Sequence, residues 1–571
     1  MNNARLFFLL GLALLGSLLW TEHAKEQAVQ AAKSQVAIES SAPSKASSPA
    51  STALAGETPS ALPPVADVPQ ASVAPANPEM PISESASSNQ SPRIQVRTDV
   101  IAGEIDLAGG DFAKLEVVQF KRLQGEGAPR LLSSDPADYA RAQSGWVASA
   151  GVAPDHKAMY QATAERFELK DGEAELVIPL TWSQDGISVR QQIKLKRGSY
   201  VIERTFEISN QSTSPWRASN YRQLQRLPGS LPSGFFVTNP ETFAFTGAAV
   251  YSPEIKFRKL KFGNFADEPF NQNLVGGWSA MLQHHFVMSF IPSATETVNY
   301  SSVVLEPAGG LPQRFMIRQQ SPEITVEAGQ SATYNNTLFV GPKTQEVLEK
   351  LAPGLELTVD YGMLSFISKP LFWVLDKLHS LVANWGFAII LLTLLVKLAM
   401  FKLSDAQYRS MAKMRQFQPK MQEIQQRYKD DRQKMSTALM DLYKKEKINP
   451  LGGCLPLLIQ IPVFIALYWV IFESVELRQA PFMLWIQDLS VKDPYFVLPI
   501  LNAAIMWYTQ KLTPMTGMDP MQVKIFQFMP LVMGLMMAFF PAGLVLYWCA
   551  QGALNLAQQA YILRKYATPA K

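Results

Sequence analysis

The chain has 571 residues, of which 47% are hydrophobic and 18% charged, and a formal net charge of +4. That length allows two or three domains, while so modest a charge, with no nucleic-acid motif, gives no ground for a nucleic-acid partner. Cys454 and Cys549 both lie inside apolar segments, which excludes a disulfide framework and a CxxC metal site, and the scattered histidines, His23, His156, His284, His285 and His379, make no catalytic or metal cluster in the sequence.

Apolar segments crowd the first twenty residues and the last two hundred, whereas residues 95–350 carry charges throughout. This is the pattern of a membrane protein with a large water-facing part. Residues 4–20, "ARLFFLLGLALLGSLLW", open it. From Leu6 to Trp20 the run is about 22 Å long as a helix, short for a hydrocarbon core of roughly 30 Å, which by itself suits a cleaved signal peptide. Trp20-Thr21-Glu22-His23 is a poor small-residue cleavage site, however, and Trp suits an interfacial anchor. Residues 1–24 are therefore read as an N-terminal transmembrane anchor starting in the cytoplasm. Residues 25–92, rich in Ala, Ser and Pro, cannot bury enough apolar surface to offset their ordering entropy and read as a disordered linker.

Alternating runs follow at once: "RIQVRTDV", "KLEVVQFKRL", "AELVIPLTW", "ISVRQQIKLKRG", "YVIERTFEISN". Short stretches rich in Val, Ile, Phe and Thr between Gly, Pro, Asn and Ser predict an antiparallel β-sandwich over 93–345. The adjacent His284 and His285 should point to opposite faces of a strand.

Residues 361–382, "YGMLSFISKPLFWVLDKLHSLV", carry an apolar stripe broken by Lys369, Asp376, Lys377 and His379, so 358–382 should lie along the membrane surface. Five spans are predicted after it, at about 384–402, 454–473, 495–510, 523–540 and 541–563. "FFPAG", residues 539–543, supplies the tight turn that makes the last two a hairpin. With the anchor this gives six. Residues 402–449 hold twelve basic residues and 474–494 only Arg478 and Lys492, so the first loop should be cytoplasmic and the second external. Both termini then fall in the cytoplasm and the sandwich outside it. Within 403–449, Met411, Met414, Phe417, Met421, Ile424 and Tyr428 recur at helical spacing, as do Met435, Leu439 and Leu442 after Lys429-Asp430-Asp431, which predicts a helical hairpin. One residue breaks the rule of its segment: Lys397 sits in "LLTLLVKLAM", roughly 7.5 Å before Lys402, where it could snorkel to the interface or serve as a functional cation.

At "QYRSMAKMRQFQPKM", "INPLGGCLPLLIQIPVFIALYWV", "SVELRQAPFMLWIQDLS", "DPYFVLPIL" and "FPAGLVLYW" the chain closely resembles the YidC/Oxa/Alb membrane protein insertase family, over about 361–565, with anchor, linker and outer domain like those of the Gram-negative version. The resemblance implies a five-helix insertase core at 383–565, a short cytoplasmic tail at 566–571, and a hydrophilic groove open to cytoplasm and lipid. Lys397 occupies the place of the groove's basic residue, where close relatives have Arg. Lys keeps the charge but lacks the planar fork that binds a carboxylate bidentately. By the same resemblance Thr393, Gln460 and Trp548 line the groove, and Ile461, Pro462 and Met536 meet the substrate helix. The outer domain resembles a β-supersandwich related in fold to sugar mutarotases, which implies no sugar chemistry.

The expected activity is insertion of newly made inner-membrane proteins, alone or with the Sec translocon, without a cofactor: the sequence has no Walker motif to couple ATP. Besides those proteins, the Sec translocon and the lipid bilayer, the cytoplasmic loops are candidates for contact with the ribosome or signal recognition machinery. The short end "LRKYATPAK" lacks a long basic tail for it. A polytopic transporter or channel is the alternative, and it should show paired intramembrane charges or repeated halves, whereas Lys397 has no obvious acidic partner in the other spans. An envelope enzyme would keep its chemistry in the sandwich, where deletion would abolish function.

Overall fold

The computed structural model describes residues 91–122, 127–228, 244–402, 404–405, 417–428, 431–446, 455–512 and 520–566. The anchor at 1–24, the linker up to residue 90, Cys454, the Met411–Met414 start of the methionine stripe and the tail beyond Tyr566 lie outside the described residues.

Among the described residues, strands between Arg93 and Pro342 form one sheet of ten strands and one of nine. Pairing is antiparallel apart from an edge pair, Arg93–Arg97 with Arg166–Glu168. The local causes are plain in one hairpin. In the strand Ile187–Lys196 the residues Ile187, Val189, Gln191, Ile193 and Leu195 are buried and their neighbours face outward, the period of two that a half-buried strand requires. Asp185 and Gly186, both with positive φ, close it against Glu175–Gln184 in a two-residue turn whose twist suits a hairpin. The two sheets meet face to face: Trp146 of one lies edge-on to Phe206 of the other with centroids 5.9 Å apart. Beside them Arg204 and Asp111, at 0% and 1% side-chain exposure, form a buried ion pair between the sheets.

Helices follow. α1 (Gln345–Leu351) leads through 3-10 turns to α2 (Ser365–Val382) and α3 (Trp385–Ala399). Ala383 takes the left-handed conformation that ends α2, and the Asn384 side chain accepts the Phe387 N–H at 3.1 Å to start α3, so a two-residue break turns the chain sharply. α2 buries Ser368, Phe372 and Leu375 while exposing Phe366, Trp373 and Leu381, an apolar face left uncovered. α4 (Gln418–Arg427) and α5 (Arg432–Lys445) pack on each other, with Met421 fully buried and Lys420 reaching Glu446 at 3.8 Å.

The remaining helices are α6 (Leu455–Glu473), α7 (Val497–Leu512), α8 (Pro520–Met537) and α9 (Ala542–Tyr566). Asp493 fixes the start of α7 by accepting the Tyr495 and Leu498 N–H groups and the Trp485 indole. The turn before α9 is held by Ala542 and Gly543 donating to Val491 and Leu489 carbonyls. α9 packs on α3 and α7, α7 on α8, and α2 on both α3 and α6. Among the described residues no helix is long and apolar enough by itself to cross a membrane. α3 has only 15 residues, and α9 is interrupted by Gln551, Asn555, Gln558 and Gln559.

Candidate functional site

α9 is the wall on which the polar side chains of three apolar helices meet. Lys397, in the last turn of α3 and half-buried, donates its ammonium to Asn555 Oδ1 on α9. It forms no ion pair among the described residues. Gln460 of α6 donates to the Tyr547 hydroxyl of α9 at 3.1 Å. Next to it Trp548 stacks on Phe464 with centroids 4.8 Å apart. The eight-residue step from Tyr547 to Asn555 spans about 12 Å of helix, so the two contacts sit along one face rather than at one point. Thr393 is also on α3 but fully buried, its hydroxyl donating to the Ile389 carbonyl at 2.7 Å. That back-bond is how a helical threonine satisfies itself within an apolar segment. Ile461 and Met536 leave 43% and 42% of their surface exposed, and neither they nor Pro462 make a polar contact with this cluster among the described residues.

Five polar side chains of this region escape a residue-by-residue reading of the sequence. Asn555 and Tyr547 are the partners of Lys397 and Gln460. Gln558 and Gln559, one turn beyond Asn555, have both amide atoms buried with no partner among the described residues, and the same holds for the carbonyl oxygen of Gln551 one turn before it. A signal for them was present: amides at 551, 555, 558 and 559 fall on one helical stripe.

A second polar cluster fixes the outer end of α6 to the β-domain. His284 and His285 both aim Nε2 at the Phe472 carbonyl, at 2.8 and 3.2 Å, with their rings stacked 3.7 Å apart. They do not alternate across a strand as the sequence suggested; they form the two-residue turn between Trp278–Leu282 and Phe286–Ile291, where pleat alternation no longer applies. His285 Nδ1 lies 3.2 Å from an Arg478 guanidinium N–H and accepts from it, which requires a neutral ring. Burial holds His284 down to about 3, with Lys343 adding to it, and holds His285 well below its ordinary range, with His284 and Arg478 adding. Arg478 also donates to the Lys121 carbonyl at 3.0 Å, and Gln479 bonds Lys121 through both its amide atoms. Glu476 accepts the Gln345 N–H, and burial pushes its carboxyl up to about 7.

Residues 93–374 match the family model described as YidC periplasmic domain, and residues 377–569 the one described as 60Kd inner membrane protein. A membrane protein insertase YidC from Stenotrophomonas maltophilia is 43% identical over 578 residues, covering 99% of this chain and 97% of that protein. One from Xanthomonas campestris pv. campestris is 44% identical, covering 99% and 98%. One from Thioalkalivibrio sulfidiphilus is 46% identical over 515 residues, covering 88% and 90%. Among solved structures, an active YidC insertase with its first transmembrane domain resolved aligns with 82% of this chain and 92% of that chain at 18% identity and a TM-score of 0.38. From the near full-length identity to these relatives and the two consecutive family matches, the chain belongs to the YidC membrane protein insertase family: an inner-membrane insertase, not an enzyme, with a periplasmic domain.

Proposed function

We propose that the chain inserts newly made inner-membrane proteins through a wet groove between α3, α6 and α9, with Lys397 as its cation and Thr393, Gln460 and Trp548 in its lining. Residues 383–565 are the five-span core, 403–449 its cytoplasmic hairpin, 358–382 an interfacial helix and 93–345 the periplasmic sandwich. With the anchor at 1–24 this makes six spans and places both termini in the cytoplasm. Ile461, Pro462 and Met536 offer the apolar side that a substrate helix slides along into lipid. Thr393 supplies small volume rather than a hydrogen bond, because its hydroxyl is taken by its own helix.

The observation that carries this reading is a single ammonium set among apolar helices and answered by an amide instead of a carboxylate. A carboxylate at the centre of a helix costs roughly 2.5–3.5 kcal/mol on insertion scales. A groove holding a cation and amides lowers that cost for a polar tail in transit, so no ATP is needed. The Sec translocon is a partner for substrates with large external parts, and the groove alone serves those with short ones.

Depletion of the endogenous insertase and rescue by variants tests the proposal. Lys397→Arg should support insertion of a single-span protein with a charged tail, and Lys397→Ala should not. Equal insertion by Lys397→Ala and the parent would sink the charge model.

A further inference from the structure

We infer that Asn555 is a positioning residue for the Lys397 ammonium: a neutral place-holder that keeps the cation on the α9 wall and gives it up to an incoming carboxylate. The inference rests on the groove reading above.

Three features lead to it. The Asn555 side-chain oxygen accepts from Lys397 across the α3–α9 contact. Neither α3 nor α9 contains an aspartate or glutamate, so neither helix carries a carboxylate that could neutralise the ammonium permanently. The surface one turn to either side is amide as well, and it is unsatisfied: Gln551 Oε1 and both ends of Gln558 and Gln559 are buried with no partner among the described residues. A buried polar atom left unpaired is costly, so such a face favours anything that brings hydrogen-bonding groups to it.

The chemistry of the pair then sets its behaviour. An ammonium is a compact charge with three donors and no fixed direction, unlike a guanidinium fork. It therefore needs an acceptor to hold it in one place, and Asn555 provides that. An amide acceptor leaves the charge uncompensated, whereas a bond to a carboxylate is charged on both sides and stronger. Exchange accordingly runs from Asn555 to an acidic segment. Return follows when the segment leaves, because the amide takes the ammonium back. An aspartate at 555 would instead form a buried internal ion pair, and separating such a pair is strongly unfavourable. The place must be polar enough to orient the cation and neutral enough to release it.

The test uses the full-length protein in proteoliposomes and two versions of one single-span substrate. One version has an acidic translocated tail, and in the other the tail's carboxylates are changed to amides. The readout is the ratio of protease-protected acidic to neutral substrate. Asn555→Asp should lower that ratio at least tenfold. The exchange Lys397→Asn with Asn555→Lys returns the cation from the opposite wall and should restore the ratio to at least a third of the parent's. A ratio within twofold of the parent in Asn555→Asp, or an equal loss for both substrates, overturns the role of Asn555. Failure of the exchange to recover any acidic preference overturns it also. Lys397→Ala, run alongside, separates the two ideas: if it leaves the ratio unchanged, the groove reading itself fails, and if it lowers the ratio while Asn555→Asp does not, only the inference fails.

Discussion

Acidification should loosen the joint between the β-domain and α6, and Glu476 should mask much of the effect. His284 and His285 are held neutral in the joint, so a state in which the joint is open binds protons that the closed state refuses. Their contribution to closure is complete above pH 6.5 and is lost as pH falls below it, by about 1.4 kcal/mol per histidine per pH unit. Glu476 runs the other way. Its carboxyl, pushed up to about 7, takes a proton in the closed state before it would in water, so its contribution grows as pH falls from 7 and is complete below 4.5. Between pH 7.5 and 5.5 it adds about 2 kcal/mol to closure. Glu476→Gln should therefore steepen the acid loss by about that amount, roughly thirtyfold in the opening constant. His284→Gln, which keeps a neutral donor for the Phe472 carbonyl, should make the loss shallower by about 1.4 kcal/mol. Each variant is compared with the parent over the same pH step, so Glu473, Asp360, Lys259, Lys343 and Arg478, which also face the joint, cancel. Hydrogen exchange of the Lys121 and Arg478 amides, corrected for the intrinsic pH dependence of exchange, reads the opening. Parallel pH profiles for parent and Glu476→Gln, or a steeper one for His284→Gln, would refute the reasoning.

Within the sandwich, Asp111→Ala strands the buried Arg204 and should cost about 3–5 kcal/mol, while Asp111→Leu combined with Arg204→Met should recover most of it; thermal melting of the full-length protein in detergent compares the two. Gly277→Ala should destabilise the same domain by about 1–3 kcal/mol in that assay, because Gly277 has a φ of 86° and an added Cβ would press on the Tyr251 carbonyl. At the start of α3, Asn384→Ala removes both the cap on Phe387 and a bond to the Phe482 carbonyl, and should cost about 1 kcal/mol, seen as faster hydrogen exchange in the first turn of α3 with little change at Lys397.

How much of this could be read from the sequence depended on how local the cause was. The alternation in Ile187–Leu195, the Asp185-Gly186 turn and the Pro541-Ala542-Gly543 break act within a few residues, and each could be read directly. Lys397 stood out because a cation in an apolar helix is costly, although residue type alone left snorkelling to the interface and a functional cation equally open, and only the resemblance favoured the second. Thr393 was harder: residue type gives polarity, but in a helix the hydroxyl is free to turn back to the carbonyl four residues earlier, and here it does. The histidine pair misled for a related reason, since a period of two holds only inside a strand and two residues of turn suffice to break it. The joint itself lay beyond reach, because Lys121 and Gln479 are 358 positions apart and nothing near either one names the other.

That division bears on how the two halves of the molecule work together. The joint grips the last turn of α6 and the loop after it, through the Phe472 carbonyl, Glu476, Arg478 and Gln479. Gln460 lies twelve residues earlier on that helix, about 18 Å along its axis. Between these two ends α2 packs on α6, with Ser368 donating to the Ala466 carbonyl, and among the described residues Gln460 and Phe464 join α6 to α9 through the Tyr547 hydroxyl and the Tyr547 and Trp548 rings. α3 also packs on α9, and Lys397 and Asn555 meet across that contact. In the groove proposed above, α6 is therefore the wall tied to the periplasmic domain, while α3 and α9 carry the cation and its amide acceptor.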